Sequence, residues 1–277
     1  MTDWLELCRA AARDVALALE ALPTRAEREP GVGAGMGGDE TSVVDAAAER
    51  AVIERLESAG LAFTLVSEEI GERTCGDGSS PLRVIVDPID GSINAKRTVP
   101  FFALSIAVAD GPALRDVFFG YVYDFGSREE WTASRGEGAR LDGRPLQGPG
   151  PKDVVELLSF EATRTDLVAQ AIGEFTGLAE RIRIMGSLAL SLCYLAAGRF
   201  DAVISLKPAR SVDIAAAQLL VRECRLAIDL PEDPPFEDAL LDLEGRSRVV
   251  AALTPERCAE LFAALRAALP LERATRP

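Results

Sequence analysis

The residues with the clearest chemical potential lie in the motif Val-Ile-Val-Asp-Pro-Ile-Asp-Gly-Ser-Ile-Asn at positions 84–94. Asp87 ends a short apolar run that predicts a strand, and Asp90 follows three residues later. The proline and glycine between and after them predict a tight turn, which would aim both carboxylates and the carbonyl of Ile89 at one point. Carboxylate and carbonyl oxygens are the ligands that Mg²⁺ prefers. A plain Asp-Pro/Asp-Gly turn is the alternative interpretation of these residues alone.

Three further acidic groups lie where elements are expected to begin or end. Glu68 follows the apolar run 61–66, Asp45 lies at a predicted helix start, and Asp213 opens a helix of small residues. Taken singly, such residues are typical of helix N-caps and solvated turns. Taken together, carboxylates at strand ends and helix starts indicate a site for several Mg²⁺ ions, of the kind that supports phosphoryl transfer.

A candidate anion site directly follows the acidic motif. Gly91 and Ser92 stand where a helix is expected to begin, so their backbone N–H groups are available to a phosphate. The stretch 33–38 formally matches Gly-x-Gly-x-x-Gly, but the residues before it do not predict a strand. We therefore interpret 33–38 as part of a loop and not as a dinucleotide site.

The amino-acid composition excludes several catalytic mechanisms and argues against several classes of partner. The chain has no histidine, which excludes Ser-His-Asp and Cys-His catalysis and histidine-ligated zinc. With 44 acidic against 30 basic residues the net charge is −14, which argues against a nucleic-acid partner. The five cysteines lack any Cys-x-x-Cys spacing, as expected for reduced thiols in a cytoplasmic protein. No apolar run is long enough for a membrane span, so no membrane partner is expected.

These residues must be positioned by a mixed α/β chain. The 277 residues suit one domain with an N-terminal half of about 1–145 and a C-terminal half of about 150–277, divided by the Pro/Gly-rich loop 142–152. Residues 23–38 are predicted as another loop. Helices are predicted over 3–22, from 39 or 41 to 58, and over 165–176, 187–197, 212–224 and 255–268. Strands are predicted over 61–66, 83–86, 101–109, 115–123, 154–160, 200–206 and 248–252, with a hairpin over 129–141.

Three motifs in this order and spacing carry a family resemblance: SEEIGE (67–72), VDPIDGSIN (86–94) and SVDIAAA (211–217). The chain resembles the inositol monophosphatase family of Mg²⁺-dependent phosphatases over about residues 5–268. The segments 35–45, 94–109 and 182–202 are most similar to the archaeal branch, whose enzymes act on fructose 1,6-bisphosphate and inositol 1-phosphate. The resemblance implies a layered α-β-α-β-α sandwich, an active site between the two halves, and a homodimer.

The resemblance also implies a ligand set for two to three Mg²⁺ ions per site, with Mn²⁺ as an alternative ion. One ion would be held by Glu68, Asp87 and the Ile89 carbonyl, and a second by Asp87, Asp90 and Asp213. A third, weaker ion would depend on Glu68, and the loop through residues 35–39 would bring Asp39 or this third ion into the site.

The catalytic and substrate contacts follow from the same resemblance. Ser92, supported by Asp45, would orient the attacking water, while the N–H groups of Gly91 and Ser92 hold phosphate oxygens and Asp90 lies near the product alcohol. The substrate-binding candidates are Arg181, Arg183, Gly186, Lys207 and Arg210, for whose side chains ordinary surface charge is the alternative interpretation.

Two other functions and one departure from the family pattern stay open. A non-catalytic member that binds a phosphorylated metabolite is one alternative, and a 3′-phosphoadenosine-5′-phosphate phosphatase is the other. The helix after Asp213 ends in Cys224-Arg225, where the family has a pair ending in glycine, which leaves its C-terminal geometry open.

Overall fold

The structure is a computed structural model, which describes residues 2–34, 40–161, 164–232 and 235–269. Its α-helices are α1 (Trp4–Glu20), α2 (Arg25–Arg28), α3 (Val43–Ser58), α4 (Ser92–Lys96), α5 (Thr165–Ala171), α6 (Leu188–Ala196), α7 (Ser211–Glu223) and α8 (Pro255–Ala268). Short 3₁₀ turns span Leu114–Asp116, Ile172–Phe175 and Phe236–Asp238. The predicted 33–38 motif and Asp39 fall mostly or wholly outside the described residues.

The strands fall into two main sheets and a small antiparallel pair. The pair is β1 (Gly31–Ala34) with β2 (Glu40–Ser42). The larger sheet has the order β10-β9-β8-β7-β6-β5-β3-β4 and is built from β3 (Phe63–Ser67), β4 (Gly71–Cys75), β5 (Arg83–Asp90), β6 (Ala103–Ala109), β7 (Val117–Asp124), β8 (Glu130–Ser134), β9 (Gly138–Leu141) and β10 (Arg144–Leu146). The smaller sheet has the order β12-β11-β13-β15-β14 and contains β11 (Val155–Glu161), β12 (Ala179–Arg183), β13 (Ala202–Ser205), β14 (Ala227–Asp229) and β15 (Val250–Ala252).

Alternation along the strands explains the layers. In β5, Val84 and Val86 join the core beneath α1 and α3, while Ile85 joins the core formed with α6 and α7. Successive side chains of a strand point to opposite faces, so one strand supplies both cores. The smaller sheet packs on α6 and α7 from the other side, and its outer face carries α5 and α8. The predicted α-β-α-β-α sandwich is confirmed.

The middle helix layer comes unusually close to the larger sheet. A Cβ at Gly120 of β7 would lie 2.7 Å from the carbonyl oxygen of Ala216 in α7. The small residues Ala215, Ala216 and Ala217 of α7 are all buried there. This close approach brings the N-terminus of α7, with Asp213, to the end of the larger sheet.

Several predicted boundaries were wrong in instructive ways. The loop predicted over 23–38 contains α2 and β1, and the loop over 142–152 contains β10, which pairs with β9. The predicted strand 83–86 continues to Asp90, with an irregular register between Asp87 and Asp90. The prediction missed β4 and β12 because edge strands such as these carry exposed, mostly polar side chains.

The end of α7 settles the question of its C-terminal geometry. Arg225 has φ 59°, the left-handed conformation that a glycine usually supplies after a helix. A non-glycine residue therefore makes the turn. All five cysteines are buried free thiols, in agreement with the sequence-based expectation.

Candidate active site

Strand pairing brings the first two acidic groups together. The strands β3 and β5 are parallel neighbours, with Ser67 paired to Val86. Glu68 follows β3 and Asp87 follows Val86, so the two carboxylates lie side by side at the same edge of the sheet. Such strand ends are the usual place for a ligand site in α/β proteins. Asp213 joins them from the first turn of α7.

The resulting carboxylate triad consists of Glu68, Asp87 and Asp213. One carboxylate oxygen from each residue lies within 4.8 Å of the others. An all-oxygen donor set of this density fits a hard divalent cation such as Mg²⁺, and it does not suit zinc or copper, which favour nitrogen and sulfur ligands. Three of the five predicted metal-binding residues are therefore brought together by the fold.

The triad places three acidic side chains close together in buried or half-buried positions. Burial raises the pKa of Glu68 to about 7, with the Asp213 charge adding to the shift and Arg210 opposing it. Burial and the nearby Glu68 also raise the pKa of Asp87 well above its usual value. The ionised triad is thus costly by itself, and a bound cation would relieve that cost.

A guanidinium group lies against the triad. Arg210 Nη2 donates a hydrogen bond to Glu68 Oε1 and lies 3.6 Å from Asp213 Oδ1. Burial alone lowers the pKa of Arg210, but the Asp213 and Glu68 carboxylates raise it above its usual value. Arg210 was predicted to contact the substrate, whereas in the structure it contacts the predicted metal ligands.

The two other predicted metal donors accept hydrogen bonds from the protein. Asp90 Oδ2 accepts hydrogen bonds from Ser187 Oγ at 2.5 Å and from the Ala189 N–H at 2.7 Å. Burial raises the pKa of Asp90 to about 7, although the bond from Ser187 opposes the shift. The Ile89 carbonyl accepts a hydrogen bond from Ser92 Oγ at 3.1 Å. Asp90 therefore joins the larger sheet to the start of α6.

A second carboxylate has the same joining role. Glu161, at the end of β11, accepts hydrogen bonds from Ser159 Oγ at 2.8 Å, Ser191 Oγ at 2.6 Å and the Gly186 N–H at 2.9 Å. Burial raises its pKa, while these donors oppose the shift. We call Asp90 and Glu161 the junction carboxylates.

The predicted catalytic pair is close to the triad but not joined directly in the described structure. Ser92 Oγ donates to Ile89, whereas Asp45 Oδ2 accepts from the Ser42 N–H at 3.2 Å and lies 3.7 Å from Lys96 Nζ. Asp45 Oδ1 is buried and has no hydrogen-bond partner among the described residues. The support of Ser92 by Asp45 stays a prediction.

Gly91 lies in a closely packed position at the start of α4. Its φ of 97° is left-handed, and a Cβ there would lie 3.0 Å from the Gly186 carbonyl oxygen and 3.1 Å from that of Phe101. Only glycine meets both requirements. Gly91 and Ser92 both line the cleft that the triad faces, and their role in holding phosphate stays a prediction.

The carboxylate triad, the junction carboxylates and Arg210 all line one cleft of about 620 Å³. The residues that line it include Asp45, Glu68, Asp87, Ile89, Asp90, Gly91, Ser92, Lys96, Glu161, Gly186, Lys207, Arg210, Asp213 and Arg246. Arg181 and Arg183 are not among its lining residues. Arg181 contacts Glu180 and Glu156 at the exposed edge strand β12, and Arg183 Nη1 donates to the Ile182 carbonyl.

Sequence reasoning missed Glu49, Lys96, Glu161 and Arg246. Glu49 accepts from Ser67 Oγ at 2.7 Å and from the Ile70 N–H at 3.2 Å, and so holds the turn that carries Glu68. One helical turn separates it from Asp45 on the buried face of α3, a spacing that was visible in the sequence. The position of Glu161 at a strand end was a comparable signal.

Fold and site together define a layered α/β protein with a carboxylate cluster at the strand ends, facing a cleft with basic residues. The family model for the inositol monophosphatase family matches residues 3–265. The chain belongs to the inositol monophosphatase family, and its fold and family support phosphatase activity.

Individual relatives agree with this assignment. The chain is 34% identical over 233 residues to a fructose-1,6-bisphosphatase/inositol-1-monophosphatase of Methanothermobacter thermautotrophicus, with 79% of this chain and 80% of that protein covered. It is 32% identical to the Nus factor SuhB of Salmonella typhimurium, over 80% of this chain and 84% of that one. The crystal structure of an inositol monophosphatase-fructose 1,6 bisphosphatase superposes with a TM-score of 0.83, 27% identity, and coverage of 95% of this chain and 100% of that chain. Among the described residues, no helix combines the length and apolarity that a membrane crossing requires.

Proposed function

We propose that this protein is a Mg²⁺-dependent phosphomonoesterase that hydrolyses fructose 1,6-bisphosphate, inositol 1-phosphate, or both. The observation that carries the proposal is the carboxylate triad, whose oxygens lie within 4.8 Å of one another beside a glycine-led helix start. An acidic cluster for the cation and backbone N–H groups for the phosphate are the two parts that hydrolysis of a phosphate ester needs.

The chain's own residues would divide the work as follows. Glu68, Asp87 and Asp213 would hold Mg²⁺, which lowers the pKa of a bound water and shields phosphate charge. The N–H groups of Gly91 and Ser92 would hold phosphate oxygens. Ser92 Oγ would orient the attacking water.

The proton of the attacking water would pass towards Asp45. Its Oδ1 is a buried acceptor without a partner among the described residues, and Lys96 Nζ lies 3.7 Å from the other oxygen. These carboxylate and hydroxyl groups would perform the proton transfer for which many hydrolases use histidine.

The basic residues of the cleft support the proposed substrates. Lys96, Lys207, Arg210 and Arg246 all line it, in a protein whose net charge is −14. Local positive charge of this kind suits a phosphorylated substrate, and a second phosphate or a polyol would find donors there. The names of the archaeal relatives point to the same two substrates.

The test is release of inorganic phosphate from both substrates with Mg²⁺, with Mn²⁺ and with chelator. We expect hydrolysis that needs the divalent ion and that Asp213→Asn abolishes, while Asp229→Asn, an exposed aspartate of β14, retains it. Exclusive hydrolysis of 3′-phosphoadenosine 5′-phosphate would overturn the substrate class. Tight binding of either substrate without turnover would show a non-catalytic member of the family.

A homodimer, expected from the family resemblance, is part of the same proposal. Light scattering should then report twice the chain mass of 29.6 kDa.

A further inference from the structure

We propose that Arg210 is a resident cation of the carboxylate triad, which a divalent metal ion must displace in order to bind. The inference rests on the proposed metal site and goes beyond it. It states that the side chain of Arg210 sets the metal concentration at which the site becomes occupied. Arg210 is then a positioning residue that competes with the metal for the same oxygens.

The contacts of Arg210 place its guanidinium on two of the three triad carboxylates. Nη2 donates to Glu68 Oε1 and lies 3.6 Å from Asp213 Oδ1. Both residues belong to the triad that would hold the ion. The guanidinium therefore lies against the carboxylates whose negative charge would hold the ion, and we expect binding of the ion to move Arg210 away from Glu68.

The other buried arginines show that the position of Arg210 is unusual. Arg28 and Arg248 are 9% and 5% exposed, and Arg210 is 7% exposed. The three nitrogens of Arg28 donate to backbone carbonyls of Leu19, Leu22 and Ala95. Arg248 Nε donates to Glu232, and its Nη1 donates to the Leu269 carbonyl at 2.8 Å.

Arg210 lacks this network of partners. Its Nε and Nη1 are buried without a hydrogen-bond partner among the described residues, whereas no atom of Arg28 or Arg248 shares that condition. Buried donors without partners carry a desolvation cost. Among the described residues, the guanidinium of Arg210 is therefore held only by the triad carboxylates. Once another cation neutralises these carboxylates, the attraction that holds the guanidinium there is lost.

The local backbone allows such a movement. The Arg210 N–H donates to Asp213 Oδ2 at 2.7 Å, which caps α7 and holds the main chain independently of the guanidinium. The side chain lines the cleft. Arg210 can therefore turn into the cleft while Asp213 keeps its place.

The first experiment compares metal binding by the full-length wild type, Arg210→Met and Arg246→Met. Calorimetric titration of chelator-treated protein with Mg²⁺ and with Mn²⁺ is the readout, so activity is not involved. Met keeps the unbranched apolar stem of the side chain and removes the guanidinium with its charge. We expect Arg210→Met to bind either ion about tenfold more tightly than wild type, a difference of about 1.4 kcal/mol.

Arg246→Met is the matched control because it removes one positive charge from the same cleft. We expect its metal affinity to stay within about threefold of wild type, since salt screens the overall charge of the cleft, whereas Arg210 is proposed to compete with the ion for the same carboxylates. Equal tightening in both variants would overturn the proposal in favour of a general charge effect. Unchanged or weaker metal binding in Arg210→Met would overturn it outright. Absence of metal binding by the wild type would instead refute the proposed function.

A second measurement needs no substitution and therefore does not depend on the folding of a variant. Phenylglyoxal, which modifies accessible arginines, is applied to wild-type protein with and without Mg²⁺, and the modified residues are identified by mass spectrometry. We expect Mg²⁺ to accelerate modification of Arg210 severalfold and to leave Arg28 and Arg248 unchanged. Equal or slower modification of Arg210 in the presence of Mg²⁺ would contradict its displacement.

Discussion

Two sets of acidic residues face the same cleft and differ in their hydrogen-bond partners. The junction carboxylates Asp90 and Glu161 accept bonds from serine hydroxyls and backbone N–H groups. The carboxylate triad has few such donors, and its main neighbour is the guanidinium of Arg210.

Burial raises the pKa of Glu68 and Asp87 in the triad and of both junction carboxylates, so a raised pKa does not distinguish the two sets. The donors do. A carboxylate that accepts bonds from another element fixes the position of the elements it joins. In the triad, Asp87 and Asp213 each accept one nearby backbone N–H, which leaves oxygens available for a cation. The residue type is the same, and the neighbours from other elements decide its role.

The largest expected effect comes from the centre of the triad. Asp87→Asn removes a charge from the proposed Mg²⁺ site, so phosphate release at saturating Mg²⁺ should fall by more than about 100-fold, the upper range for groups that only support metal ligands. Thermal unfolding in chelator should show a folded protein. Activity within a few fold of wild type would remove Asp87 from the metal site.

The junction carboxylates should respond in stability. Glu161→Ala leaves Ser159, Ser191 and the Gly186 N–H without their acceptor, and should lower the free energy of unfolding by about 2–4 kcal/mol. Glu156→Ala, on the same strand but exposed, is the control and should change it by less than about 0.5 kcal/mol. Equal effects in urea denaturation would show that Glu161 does not join the two elements.

The pH dependence of stability should distinguish the triad as well. The pKa of Glu68 is raised from 4.5 to about 7 in the folded protein. Its contribution to the free energy of unfolding is therefore fully present below pH 4.5 and is lost as the pH rises to about 7. In chelator, Glu68→Gln should therefore gain about 2 kcal/mol relative to wild type between pH 5 and pH 8. A difference between the two proteins that does not change with pH would contradict the raised pKa.

The smallest effect is expected at the edge of the smaller sheet. Arg181 is exposed and contacts Glu180 and Glu156, so Arg181→Ala should change kcat/KM by less than about twofold, in keeping with the small energies of surface ion pairs. Arg183 lies on the same strand and should behave alike. A tenfold loss in either variant, with unchanged stability, would restore the sequence-based hypothesis that they contact the substrate.

The long helices and central strands could be predicted from the sequence because each carries its own periodicity. The predicted helix over 255–268 has the bounds of α8, and the predicted strand over 101–109 contains β6. The strands β4 and β12 could not be predicted, since edge strands owe their existence to a neighbouring strand and not to their own apolar pattern.

The sequence by itself identified the acids of the triad, although it missed Lys96, Glu161 and Arg246 among the residues that line the cleft. Acids at the ends of β3 and β5 and at the start of α7 were recognisable because strand ends and helix starts meet at one edge of an α/β sheet. Only the tertiary structure decided what each acid does there. Asp90 meets Ser187 across 97 positions of the chain, and Glu68 meets Arg210 across 142. No local pattern encodes such contacts, because they arise when packed layers bring distant side chains to the same buried place, where a charge must find a partner.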